Sequence, residues 1–430
     1  MDSDFKPDER LGGPLQGEHD DAQLETPKPH SETFQTPEEV AASDDITEPA
    51  DQIASEELPD DSSAKQQSSK PATGWRAKLA LHWPPGKKEW IVLAVVIMLA
   101  GIGTFLFISL SKPTPKPVAT VQTIKAKPLP TTVPSTLSGL PVDPRINKLP
   151  VTGVMIENSD QARPQSGLGQ ASVVFEAVAE GGITRFLALY QDTAPANVGP
   201  IRSARPYYIQ WALGFDAGYA HVGGSPDGLA DIKTWNVRDL DEFYNGSFYH
   251  RISSRAAPHN VYTAIATLNQ LEASKGYTSS TFSGFLRKKE APVKVPTAKS
   301  INLVMSGPDY NVHYDYVAAT NSYNRSEGGA AQIDANTNQQ ISPKVVVAMV
   351  IPETQGALDA SGAYYSDYAV IGSGPVDVFQ DGTVTTGTWT KSSNTSQITF
   401  ATASGQPLKL NPGQTWLTAV SSSSDISYTP

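Results

Sequence analysis

The chain has 430 residues and a formal net charge of −11, with Asp and Glu outnumbering Lys and Arg 44 to 33. The excess sits at one end: residues 1–70 carry 19 acids against 5 bases, residues 71–140 carry 1 against 8, and residues 141–430 carry 24 against 20. A body without a basic face excludes nucleic acid as a partner, and the lack of any Cys excludes a disulfide framework, a thiolate zinc site, a thiol nucleophile and a lipidated Cys anchor.

Residues 1–72 contain no apolar run, and prolines punctuate their acids, Ser and Gln. Low hydrophobicity with high charge leaves too little burial to offset chain entropy, so this segment is expected to be a disordered acidic tail. Residues 73–90 form a basic juxtamembrane segment with Arg76, Lys78, Lys87 and Lys88, and with Trp75, Trp83 and Trp90 as interfacial aromatics. Ile91 to Leu110 is twenty residues with no charge and no proline. At ~1.5 Å per residue it spans ~30 Å, the thickness of a bilayer core. Its distance from the N-terminus predicts an uncleaved signal anchor rather than a signal peptide. The expected partner of this segment is the membrane, with residues 1–85 cytoplasmic and the long C-terminal part extracytoplasmic. Eight prolines in residues 111–145 predict a semi-rigid stalk.

Residues 146–292 mix both hydrophobic periods. Pro150–Glu157, Val173–Ala179 and Ile183–Tyr190 read as strands, and Gly181-Gly182 marks a hairpin because both glycines tolerate positive φ. Ser203 is predicted to cap a helix that opens with Pro206, and Ser225 to cap a second. A third helix is expected over Thr263–Ser274. From residue 293 to 430 the helical period disappears. Eight short apolar segments between Ser300 and Ala419, separated by Gly, Pro, Asn and Asp, predict a mainly-β part. The fold class is therefore α+β, with a mainly-β second part.

Several segments resemble the YerB-like family of bacterial envelope proteins, whose function is not established. They are ARPQSGL (162–168), FEAVAEGGITRFLALY (175–190), VGPIRSARPYY (198–208), RAAPHNVYT (255–263), SYNRSEGG (322–329), DGTVTTGTWTK (381–391) and LNPGQTWL (410–417). The resemblance covers residues 140–425. It implies an α+β first domain, a smaller β-rich second domain and a place outside the cytoplasmic membrane. Many relatives are lipoproteins held through a Cys; in this chain a transmembrane helix takes that role. No catalytic residue carries over.

The strongest local signal for chemistry is Arg202-Ser203-Ala204-Arg205-Pro206. Two guanidiniums at a helix start suit a carboxylate or phosphate; alternatively they pair with Glu176 or Glu180. Glu176 and Glu180 share a strand face but lie ~13 Å apart at ~3.3 Å per residue, wide for a glycosidase pair. Either acid can instead pair with Arg185 across the hairpin. His221, His250 and His259 have no metal-ligand spacing, so neither metal nor cofactor is expected. Arg255 and the turn residues His259-Asn260 complete the set of candidate ligand-binding groups. Tyr310, Tyr314, Tyr316, Tyr323, Trp389 and Trp416 read as β core rather than a glycan platform.

The expected function is a membrane-anchored extracytoplasmic binding module for an anionic or glycan cell-wall ligand or an envelope protein. The alternatives are an envelope hydrolase or transferase using Glu176, Glu180 and a first-domain histidine, and a scaffold that links the acidic tail's cytoplasmic partner to the envelope. A histidine within hydrogen-bond reach of an acid in a cleft would favour catalysis.

Overall fold

The computed structural model describes residues 86–110, 131–359 and 361–430. The acidic tail, most of the basic segment and residues 111–130 of the predicted stalk lie outside the described residues.

Helix α1 spans Lys87–Leu110. Its stretch Trp90–Leu110 is 21 residues long and contains an 18-residue window with a mean hydropathy of 2.9 and no buried side chains. It is apolar all round, as a helix is when its solvent is lipid rather than water on one side and protein on the other. Among the described residues it is the one helix long and apolar enough to cross a membrane.

The C-terminal unit is built around one long mixed sheet. Its first strands are β1 (Thr152–Glu157), β2 (Val173–Glu180), β3 (Ile183–Tyr190), β4 (Gly218–Ala220) and β5 (Arg238–Asp239). Three helices accompany them: α2 (Pro206–Leu213), α3 (Pro226–Thr234) and α4 (Ile265–Ser274). The later strands are β6 (Ser300–Leu303), β7 (Val312–Val317), β8 (Ser322–Glu327), β9 (Val345–Val350), β10 (Glu353–Leu358), β11 (Tyr364–Tyr368), β12 (Gly372–Gln380), β13 (Thr383–Lys391), β14 (Thr399–Thr402), β15 (Thr415–Val420) and β16 (Ile426–Thr429). The long sheet runs β14-β13-β12-β9-β15-β2-β3-β1-β4-β5. Its centre, β9, β15 and β2, is parallel, and so is its far edge, β1, β4 and β5. A second sheet holds β16, β6, β7, β8 and the short strand Ala330–Ala331.

The predicted boundary at 292/293 falls in an irregular segment, but the long sheet takes strands from both sides of it. The register of β9 and β15 explains why. Val345, Val347 and Met349 join one core with α2, while Val346 and Ala348 join another with the second sheet. A strand buried on both faces belongs in the middle of a sheet.

Gly181 and Gly182 turn with φ of +55° and +81°, as the hairpin demands. Helix α2 lies against β2 with Phe175 and Trp211 stacked at 4.9 Å. Its hydroxyls reach the strand too: Tyr207 donates to the Val178 carbonyl at 2.6 Å and Tyr208 to that of Ala177 at 2.9 Å. The cap of α2 differs from expectation. Arg205, not Ser203, occupies the N-cap position, and no side chain caps the helix. Ser225 does cap α3, accepting from Gly228 N. Of the predicted aromatic core, Tyr314, Tyr323, Trp389 and Trp416 are buried, while Tyr310 and Tyr316 are only half-buried, packed against it.

The last part of the predicted stalk is folded. Val133–Pro134 pairs with Pro141–Val142, and Leu137 between them is fully buried. Ser135 Oγ donates to Asp192 Oδ1 at 2.6 Å, and Gly413 N donates to the Ser138 carbonyl at 2.9 Å. Prolines restrict the backbone without preventing one apolar side chain from docking. Leu137→Ala is expected to cost ~2–5 kcal/mol of unfolding free energy. A change within error in a denaturant titration would show that this segment does not belong to the core.

Candidate functional site

The side chains with reactive chemistry gather into three clusters at or beside β1 and β2, and they differ in how much of their bonding is already used. The first is internal. Glu176 on β2 is fully buried and opposes Arg325 on β8, also fully buried, at 2.7 Å. Trp416 Nε1 and Thr418 Oγ1 donate to the other carboxylate oxygen at 2.8 and 3.1 Å. Arg325 donates further to Tyr314 Oη at 2.8 Å and to Gln332, and its guanidinium lies 4.4 Å from the Trp416 ring. Burial opposes the Arg325 charge, but Glu176 more than restores it and holds the pKa above the usual value. Every group is spent on another, so Glu176 is placed as a structural anion.

The second cluster is Glu180 between Arg185 and Arg205. Burial raises the Glu180 carboxyl, yet the two guanidiniums more than offset this and hold it below the usual range. Arg185 also donates to the Ser203 carbonyl at 2.9 Å, and Arg205 to that of Ala204 at 2.7 Å. Arg205 borders a cavity of about 450 Å³ with its guanidinium 4.7 Å from the Tyr365 ring, but its two Nη groups are already bonded to Ala204 and Glu180.

The third cluster sits at the C-terminal ends of the parallel strands β1, β4 and β5. That is where open α/β sheets place ligands, because the connecting loops part there. Glu157 ends β1 and is 2% exposed. His259 Nδ1 faces its Oε1 at 2.8 Å, Ser159 Oγ donates to the same atom at 2.8 Å, and Arg202 Nε lies 3.2 Å from it. Glu157 Oε2 has no hydrogen-bond partner among the described residues. The loop carrying Arg202 is tied to β1, because Glu157 N donates to the Pro200 carbonyl and Arg202 N to that of Met155. Gly199 lets this loop pass Tyr262, since a Cβ there would stand 2.7 Å from the ring. Arg202 keeps a quarter of its side chain exposed, and among the described residues no protein group accepts from either Nη.

A cleft of about 550 Å³ opens beside this cluster, lined by Arg202, Val222, Leu229, Phe243, Arg251 and Pro258. Arg251 Nη1 donates to Asn260 Oδ1 at 2.9 Å, and its Nη2 lies 3.3 Å from Glu242. Phe243 leaves 70% of its surface exposed.

The remaining candidates do not join this group. His221 is fully buried, with Nδ1 2.7 Å from the Gly223 carbonyl and Nε2 3.0 Å from Asp239 Oδ1, so both ring nitrogens are engaged. His250 is exposed on a short ladder beside Tyr262. Arg255 donates to the carbonyls of Gln161 and Pro164 at 3.1 and 2.8 Å, which joins two loops. Among the described residues no three His, Asp or Glu side chains are arranged to hold a metal ion. In sequence Glu157 reads only as the end of a strand, and Ser159 is not singled out. The available signal was a carboxylate at the end of an otherwise apolar strand, PVTGVMIE.

Comparison with known proteins shows the family of the chain. Residues 137–278 match the N-terminal domain, and residues 301–417 the C-terminal domain, of the family described as protein of unknown function DUF3048. The chain is 30% identical over 289 residues to the "Putative lipoprotein YerB" of Bacillus subtilis strain 168, covering 66% of this chain and 85% of that one. The crystal structure of YerB from Bacillus subtilis superposes with a TM-score of 0.62 at 27% identity, over 69% of this chain and all of the solved one.

Proposed function

The chain belongs to the YerB-like DUF3048 family, and from that premise we propose that it is a membrane-anchored extracytoplasmic module that binds an anionic wall polymer in the Arg202 cleft. The lipoprotein name of the relative and the apolar helix α1 support attachment to the membrane, by a lipid there and by a helix here. The observation that carries the ligand reading is Arg202. Its Nε end rests against Glu157 while, among the described residues, neither Nη group has a protein acceptor. A second guanidinium, Arg251, and the exposed Phe243 ring line the same cleft. Guanidiniums pair with phosphate or carboxylate, and an exposed ring stacks on a sugar face.

Arg202→Ala is expected to weaken retention on purified Bacillus subtilis cell walls by ~1.5–3 kcal/mol, the range for a charged hydrogen bond. Walls stripped of phosphate by hydrofluoric acid should retain the unaltered protein more weakly as well. Equal retention of variant and parent would remove the cleft as the site. The topology has its own check. Protease added to intact cells should remove residues 131–430 and spare residues 1–85, and a protected C-terminus would reverse the orientation.

A second reading rests on the 2.8 Å contact of His259 with Glu157. A carboxylate on Nδ1 orients an imidazole so that Nε2 can take a proton from water. The groups that meet this requirement are Glu157 and His259, not Glu176 or Glu180. Ser159 lies 3.4 Å from the same Nδ1, so serine and carboxylate share one ring nitrogen, and the relay geometry of a serine nucleophile is not formed. Binding therefore stands first. Time-dependent release of soluble wall fragments by the parent but not by His259→Gln would put catalysis ahead of it.

A further inference from the structure

Glu327 closes β8 and is 4% exposed. Its Oε1 accepts from Asn158 Nδ2 at 2.6 Å and lies 3.3 Å from Arg163 Nη2. Its Oε2 makes no hydrogen bond in the protein; Arg325 Nη2 stands 3.5 Å away, within ion-pair range but without hydrogen-bond geometry. A buried polar atom left unpaired costs its full desolvation. This residue lines a cavity of about 380 Å³ separate from the Arg202 cleft, walled by Pro164, Ala330, Ala331 and Ile333 and edged by Gln332 and Asn338.

The cavity's chemistry narrows its occupant. Arg163 is on the wall, but Nη1 donates to the Asp309 carbonyl, Nη2 to the Asn158 carbonyl and Nε to Asn158 Oδ1, at 3.0, 3.1 and 3.2 Å. No cation is free for an anion. What remains is an acceptor at Glu327 and the side-chain amide of Asn338, which is exposed and makes no hydrogen bond to the protein among the described residues. Ala330–Ala331 is also the edge of the second sheet, paired on one side only, with Ser326 and Glu327. A short sheet edge is where an extended peptide adds a strand.

We propose that this cavity binds an extended peptide, one backbone N–H donating to Glu327 Oε2 and the neighbouring carbonyl accepting from Asn338. Burial pushes the Glu327 carboxyl up to about 7, against the pull of Arg325 and Arg163. An amide suits either form of this carboxyl, through its N–H to the carboxylate or its C=O to the acid.

The test is a titration of the full chain in lipid nanodiscs, with Ala and Ile methyls labelled for NMR. The probes are N-acetyl-alanyl-alanine methylamide and its analogue with all three amide nitrogens methylated, which has no N–H. The expected result is shifts at Ala330, Ala331 and Ile333 with the methylamide, and binding weaker by about tenfold with the N-methylated analogue. Ala331→Leu narrows the cavity without touching a polar partner of Glu327, and it should abolish the response. Glu327→Gln should weaken it if that variant folds; if it does not fold, Ala331→Leu carries the test. No shifts at the solubility limit, equal response to the two probes, or an undiminished response in Ala331→Leu would each overturn the proposal. None of these readouts uses the Arg202 cleft, so wall retention and amide binding fail independently.

Discussion

Glu176→Gln is expected to lower the stability of residues 131–430 by ~3–5 kcal/mol, because it leaves Arg325 charged and fully buried without its anion. Both side chains have no exposed surface, so no water can replace the lost carboxylate. Trp416 and Thr418 lose charged acceptors in the same step. Denaturant titration followed by tryptophan fluorescence reads the change. Replacing both partners with apolar residues, Glu176→Leu with Arg325→Met, should recover most of the loss, since a buried ion pair is worth little against a well-packed apolar pair. A single-variant cost below ~1 kcal/mol would mean that the pair is not buried as described.

Glu180→Ala should be about as severe, at ~3–5 kcal/mol, for a different reason. It leaves Arg185 and Arg205 facing each other with side chains 3% and 5% exposed and no anion between them. Arg205→Ala should cost less, because Glu180 then keeps Arg185. Burial and the Arg185 charge already push the Arg205 pKa down, which marks it as the weaker-held of the two. The reverse order of costs in the same titration would show that Glu180 depends on Arg205 rather than on Arg185. Together with Arg202→Ala, these variants separate the two arginines of one short motif: Arg205 holds the fold, and Arg202 meets the cleft.

The elements were legible where one face of a segment is apolar. The hairpin at Gly181-Gly182, α4 after Thr263 and most of the strands from Ser300 to Val420 were read from periodicity and turn residues; β10, half-buried or exposed along its length, was not. Strand β8 was not read as a strand, because its inward residues are Tyr323, Arg325 and Glu327. A strand whose buried face is charged looks solvent-exposed in sequence, and only the partner on β2 makes its burial tolerable. Leu137 was missed for the opposite reason: one apolar residue among prolines has no period to detect.

Much the same holds for the site. The sequence by itself determined the zoning of charge along the chain, the apolar helix, the α+β class and the Arg202–Arg205 motif as a place where anions are held. It left open which carboxylate each arginine meets. That was settled by the tertiary structure, which gives Glu180 to Arg185 and Arg205, Glu176 to Arg325, and Glu157 to Arg202 and His259. The reason is physical. Hydrophobic periodicity is a property of neighbours in the chain and survives in one dimension. A buried ion pair forms between residues as far apart as 176 and 325, and its partner is chosen by sheet register and burial, which exist only once the chain has folded.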